Sequence, residues 1–130
     1  MTRRIASIAL LVRDYDEASA WFSRALGFVV LEDSDLGGGK RWLRIAPSAD
    51  AAFSLLLAKA TTPEQLAAIG KQHGGRVGFF LHTDDFARDH ARLLAAGVQP
   101  ETPPRHEEHG TVVVFADLYG NRWDLIERRG

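Results

Sequence analysis

The sequence has no cysteine. That removes disulfides, thiolate metal sites and cysteine nucleophiles together, and it agrees with a reducing compartment. Long apolar runs are missing too, and nothing approaches the ~18 residues of a membrane span. Arg3 and Arg4 before the apolar run 5–12 mimic a short signal peptide. The run is too short, however, and Arg13-Asp14 follows it with no small-residue cleavage site. It reads as a first strand, and the expected setting is cytoplasmic, with no membrane partner. Charge of one sign is not in surplus: 16 Lys and Arg face 17 Asp and Glu, and the basic residues are scattered. No nucleic-acid partner is expected from that balance. What remains is an ordinary globular mixture, 45% hydrophobic and 25% charged, in 130 residues. That length suits a single domain with a real core.

Punctuation along the chain predicts the elements. After the first strand, Asp14 is placed as an N-cap, with Glu17 three residues on to complete a capping box. Ala18, Trp21, Phe22, Ala25 and Leu26 fall on one helical face, and Gly27 stands where a helix should stop. Strand-like segments follow at 28–33, 41–46 and 52–58, separated by Gly37-Gly38-Gly39 and by residues 47–50. Pro63 opens a linking helix over about 62–73, closed by Gly74-Gly75. The pattern then repeats. A strand at 76–83 is followed by a cap at Asp84 or Asp85, a stripe of Phe86, His90, Leu93 and Leu94, and a stop at Gly97. Strands at 98–102, 111–116 and 122–127 complete it. The order βαβββ thus occurs twice, in modules of about 1–60 and 75–130. A duplicated half-domain in an α+β chain is the reading.

Two stretches resemble one family. Asp117-Leu118-Tyr119-Gly120-Asn121-Arg122-Trp123-Asp124-Leu125 resembles the D-P-x-G-N-x-x-E-L ending of the vicinal oxygen chelate superfamily, which includes glyoxalases, bleomycin-resistance proteins and extradiol dioxygenases. Gly120-Asn121 is read there as the tight, positive-φ turn between two strands. Leu11-Val12-Arg13-Asp14, Trp21-Phe22 and Leu26-Gly27-Phe28 resemble that superfamily's first βα unit. The resemblance implies curved mixed sheets around a cup that holds a ligand between modules. It also implies a homodimer and, in most members, metal-assisted chemistry.

The resemblance places the metal ligands on four strands. Here the matching positions hold Ser7, Leu55 (give or take one residue), Gly78 and Asp124. Leucine and glycine cannot coordinate, serine is a poor neutral ligand, and one carboxylate does not make a site. The expectation is no metal and no other cofactor, unless a divalent ion binds at a displaced site. Among the histidines, His82 should share the cup-facing side of the fifth strand with Gly78 and Phe80. It is either a hydrogen-bonding or general-base group there, or a strand-end histidine bonded to nearby backbone or to Asp84 or Asp85. His106-Glu107-Glu108-His109 has the wrong spacing for a metalloprotease helix and follows Pro103-Pro104, so it reads as a charged hairpin or loop. His90 reads as half-buried, and His73 as lying beside a helix end.

Trp42 and Arg44 share one face of the third strand, extended by Lys40. Such a pair suits a planar or anionic ligand, or else Trp42 packs inward while Arg44 snorkels outward. Trp123 should face away from Asp124, against a helix.

The expected function is therefore a metal-free protein that binds a small molecule. Phe53, Phe79 or Phe80, and Trp42 would form its walls, and Arg44 and Asp124 its polar handles, around Ser7, Leu55, Gly78 and His82. The alternative is an enzyme, a glyoxalase-like lyase or isomerase or a dioxygenase relative. It would use a displaced metal or acid–base chemistry at His82 and Asp124.

Overall fold

The computed structural model describes residues 2–129. Asp14 starts the first helix as its position implies: its backbone is extended, and its carboxylate accepts the Glu17 backbone N–H at 2.8 Å. The Glu17 side chain pairs with Arg13 at 2.8 Å. Gly27, at φ 70°, ends α1 (Tyr15–Leu26), because a left-handed residue turns the chain back onto the last carbonyls. Asp85 caps α3 (Phe86–Ala95) in the same way, by accepting the Arg88 N–H at 3.0 Å.

The chain divides into two compact units, with the boundary between Ile69 and Gly70. In the first unit, β1 (Ser7–Val12) runs parallel to β4 (Ser54–Lys59). β3 (Lys40–Ala46) lies antiparallel to β4 and to β2 (Val29–Gly37). The sheet order is β1-β4-β3-β2. In the second unit, β5 (Val77–His82) runs parallel to β8 (Arg122–Arg128). β7 (Gly110–Ala116) lies antiparallel to β8 and to β6 (Arg105–Glu107). The order β5-β8-β7-β6 repeats the first sheet's topology. Two four-stranded mixed sheets make this an α+β chain of two βαβββ modules. Among the described residues no helix is long and apolar enough to cross a membrane.

Each sheet buries one face. In the first unit Leu10, Val12, Leu43, Ile45 and Leu57 are almost fully buried, together with Ala18, Phe22 and Ala25 of α1. In the second, Val113, Phe115 and Leu125 are buried with Phe86 and Leu93 of α3. Each such side chain contributes about 1.5–3 kcal/mol by leaving water.

Three expectations change. The linking helix α2 (Pro63–Ala68) ends well before Gly74. Gly70, at φ 75°, lies where any side chain would run into the Tyr119 carbonyl, so the chain turns there. No strand forms at 98–102, because Pro100, Pro103 and Pro104 cannot donate to a ladder. One backbone bond, from Glu101 N–H to the Val114 carbonyl, marks the near miss. The edge strand is instead β6, so the charged His106–His109 segment forms a hairpin with β7.

The D-L-Y-G-N turn is tighter than a simple glycine–asparagine reversal. Gly120 alone takes a positive φ, 102°, and Asn121 does not. The buried Asp117 carboxylate organises the turn: one oxygen accepts the backbone N–H groups of Tyr119, Gly120 and Asn121 at 3.0–3.1 Å. The other accepts the Trp123 indole and the Asn121 amide, each at 3.0 Å.

Candidate functional site

Strand alternation sets what the open face of each sheet offers. In the first sheet Ser7 pairs with Ser54, Ala9 with Leu56, Leu11 with Ala58, and Arg44 with Leu56. These residues therefore lie on the face opposite the α1 core, together with Trp42 and with Glu32, the cross-strand partner of Arg44. Leu55 does not. It pairs with Ile8 and Ile45 on the helix side and is only 5% exposed. The register on β4 is one residue off Leu55, within the one-residue allowance, and the open-face neighbours are Ser54 and Leu56. A run of Ser-Leu-Leu-Leu carries no alternation that could have fixed it. Phe53 stands exposed just before β4.

The open face carries a continuous polar chain. The Trp42 indole donates to Glu32 Oε1 at 3.0 Å, and Arg44 Nε donates to the same oxygen at 2.9 Å. Arg44 Nη1 reaches Ser54 Oγ at 3.2 Å, and the Ser54 and Ser7 hydroxyls share a hydrogen bond at 2.6 Å. Arg44 thus neither snorkels freely nor waits for a ligand. Glu32 was not singled out by the sequence, and Ser54 entered only as a one-residue alternative to Leu55. The signal for Glu32 was its place opposite Arg44 across the triglycine hairpin, hidden by register shifts in β2.

Next to this chain lies a cleft of about 560 Å³, lined by Leu11, Leu56, Ala58, Trp42, Lys40 and Lys59 among others. Trp42 is 40% exposed, whereas Trp21 and Trp123 are buried. The cleft falls in the size range of small-molecule sites and has their apolar character. At its rim Arg41 bonds Asp16 and Asp33 at 2.9 and 2.8 Å. The hydrogen bond from Arg41 holds the Asp33 carboxyl below its ordinary range and the guanidinium above its own.

In the second sheet Phe80 pairs with Asp124 and His82 with Ile126 on the open face, while Phe79 and Leu81 pair with Trp123 and Leu125 on the other. Trp123 lies opposite Asp124 as expected and is buried, but its stacking partners are the strand residues Phe79 and Phe115 at 4.4 and 6.0 Å. Gly78 does not continue the Phe80–His82 face, because a register shift between Val77 and Phe79 interrupts the alternation there. The space a Gly78 side chain would fill is taken by the imidazole of His73, which also packs edge-on against Phe79 at 5.0 Å. His73 is therefore a packing residue, and it does not sit beside a helix end, since α2 stops at Ala68. Phe80 is 61% exposed.

Asp124 is half-buried beside a cleft of about 240 Å³ that includes Arg105, Glu107, Val112 and Ile126. Among the described residues no group donates a hydrogen bond to its carboxylate. Burial raises its pKa, against the pull of Arg105 and Arg122. Those cations are already engaged: Arg122 grips Glu101 at 2.7 and 2.8 Å, and Arg105 pairs with Glu107 at 3.4 Å. His82 is exposed and stays outside the Thr83–Asp85–Arg88–Asp89 network at the start of α3. His90 stacks on Phe86 at 5.3 Å, half-buried as expected.

A family model of the Glyoxalase/Bleomycin resistance protein/Dioxygenase superfamily matches residues 4–125. The chain belongs to this superfamily. An uncharacterized protein of Shewanella frigidimarina is 47% identical over 128 residues, covering 98% of this chain and 95% of its own. Among solved structures, UcmS2 is 30% identical with a TM-score of 0.81, covering 97% of this chain and 98% of its own. TnmS3, an antibiotic binding protein from Streptomyces sp. CB03234, is 29% identical with a TM-score of 0.79, covering 98% of each chain.

The superfamily's usual divalent ion does not fit the donors found here. Ser7 is committed to Ser54, Leu55 is turned into the core, Gly78 offers no side chain, and Asp124 is a single carboxylate. Allowing Ser54 or Leu56 in place of Leu55 adds no strong ligand. Among the described residues no three His, Asp or Glu side chains gather into a metal-holding group.

Proposed function

We propose that this superfamily member binds a bulky, partly aromatic small molecule and releases it unchanged, without a metal at the superfamily's usual site. The observation that carries the reading is the cleft of about 560 Å³ on the first sheet, with an exposed tryptophan over an apolar floor. An exposed indole is costly to leave in water, and it is a ready stacking platform. The likeness to TnmS3 supports the same reading, since that protein binds an antibiotic. Phe53, Ser7 and Arg44 stand at the margins of the first sheet's open face, and Phe80, Asp124 and His82 are proposed contact residues on the second sheet's own open face. A homodimer, the common state of the superfamily, belongs to the same proposal and is checked by sedimentation.

The test is a fluorescence titration with polycyclic aromatic antibiotics and bleomycin-type glycopeptides, followed by chromatography of the recovered ligand. Expected are saturable quenching, loss of that quenching in Trp42→Phe, and intact ligand. Absence of saturable binding across the panel would refute the reading, and so would a converted product.

One observation favours a second reading. A half-buried carboxylate with a raised pKa and no hydrogen-bond donor, Asp124, suits an acid–base catalyst. Turnover that disappears in Asp124→Asn while binding persists would establish it.

A further inference from the structure

We propose that the cleft of the first sheet selects a planar aromatic anion, such as a polycyclic carboxylate or phenolate. This deepens the ligand-binding reading and rests on it.

The argument begins with charge. The chain as a whole carries −1, yet the residues lining this cleft include Lys40, Arg41 and Lys59 and no acid. The nearby carboxylates are already spent. Glu32 accepts from both Trp42 and Arg44, and Asp16 and Asp33 both pair with Arg41. Asp35 accepts the Gly37 backbone N–H at 2.8 Å. Both arginines of β3 are therefore neutralised within the protein.

Lys40 is not. Among the described residues its side chain makes no hydrogen bond and no ion pair. Lys40 opens β3 two residues before Trp42, on the same face by strand alternation, whereas Lys59 pairs with Val12 on the helix side of β4. A flat ring laid on Trp42 over Leu11, Leu56 and Ala58 would bring an acidic substituent within reach of the Lys40 ammonium. An ammonium group also suits this role. It is a compact point charge on a flexible stem and follows an anion without needing a fixed fork geometry. The anion-binding role that Arg44 suggests by its place beside Trp42 thus passes to Lys40 at the end of the cleft.

The experiment is isothermal titration of the intact protein with three matched probes: anthracene carboxylate, anthracene methanol and anthracene methylammonium. The carboxylate is expected to bind about fivefold tighter than the alcohol, the ammonium more weakly than either, with the preference shrinking as salt rises. The variant Lys40→Met should bind carboxylate and alcohol alike. A carboxylate no tighter than the alcohol, or a preference that survives Lys40→Met, overturns the charge assignment and leaves the ligand-binding reading in place. Failure of all three probes to bind overturns both.

Discussion

The two sheets share one topology and treat their open faces in opposite ways. On the first, each carboxylate near the cleft has a partner, and one lysine, Lys40, is left over. On the second, the nearby arginines are paired with Glu101 and Glu107, and a carboxylate, Asp124, is left over. A duplicated fold therefore does not imply duplicated chemistry. The backbone plan sets where side chains point, and the pairing of charges on each face decides which of them remain for a ligand.

The largest expected effect breaks the comparison at the turn before each unit's last strand. In the second unit Asp117 is buried and satisfies three backbone donors, an indole and an amide. Asp117→Ala strands those donors and should cost about 3–5 kcal/mol in urea unfolding. In the first unit the corresponding loop has the exposed Ser48–Asp50 side-chain bond and a backbone bond from Ala51 N–H to the Ser48 carbonyl, so Ser48→Ala should stay within about 0.5 kcal/mol. Equal costs would mean that the two turns are built alike.

Next is the facing of β4. Leu55→Ala should cost about 2–5 kcal/mol, as a core truncation does. Leu56→Ala, on the open face, should cost much less and should weaken ligand binding instead. Calorimetric unfolding of both, with ligand titration of Leu56→Ala, checks the assignment; a reversed order would restore Leu55 to the open face.

A smaller effect concerns the polar chain. A double-mutant cycle on Glu32→Gln and Arg44→Met should give a coupling of at most about 1 kcal/mol, since the pair is partly exposed. The smallest effect concerns Asp124. Its folded-state pKa is raised, so across the ordinary carboxylate range the native state binds more protons than the unfolded one. Stability is then lost as pH rises from the ordinary carboxylate value through the raised one. Asp124→Asn should therefore raise the unfolding midpoint slightly at neutral pH and leave it unchanged well below the carboxylate range. A stabilisation independent of pH would remove the charge from the explanation.

Much of this fold was legible in the sequence because its punctuation is local. Asp14, Gly27 and Asp85 act within one helical turn, and the alternation of Lys40, Trp42 and Arg44 needs only one strand. Asp124 and Trp123 fell on opposite faces for the same reason. What escaped was non-local. The one-residue error at Leu55 arose in an all-apolar strand whose register is fixed by pairing with β1 and β3. Gly78 was misplaced by a register shift, and its space is filled from outside the strand by His73. Strand 98–102 was credited with a ladder that Pro100 and the Pro103-Pro104 pair just after it do not support. The partner of Arg44, which decides whether that side chain is available, sits on a strand whose register shifts no short window reveals.

The central claim is that Trp42 on the first sheet's open face meets the ligand without help from a metal. Indole N–H resonances of the nitrogen-labelled, chelator-treated protein, followed during titration with a bound antibiotic from the panel, test it most directly. The Trp42 resonance should move while those of the buried Trp21 and Trp123 stay in place. A ligand that binds and leaves Trp42 unmoved, or that binds only once a divalent ion is restored, would contradict the account.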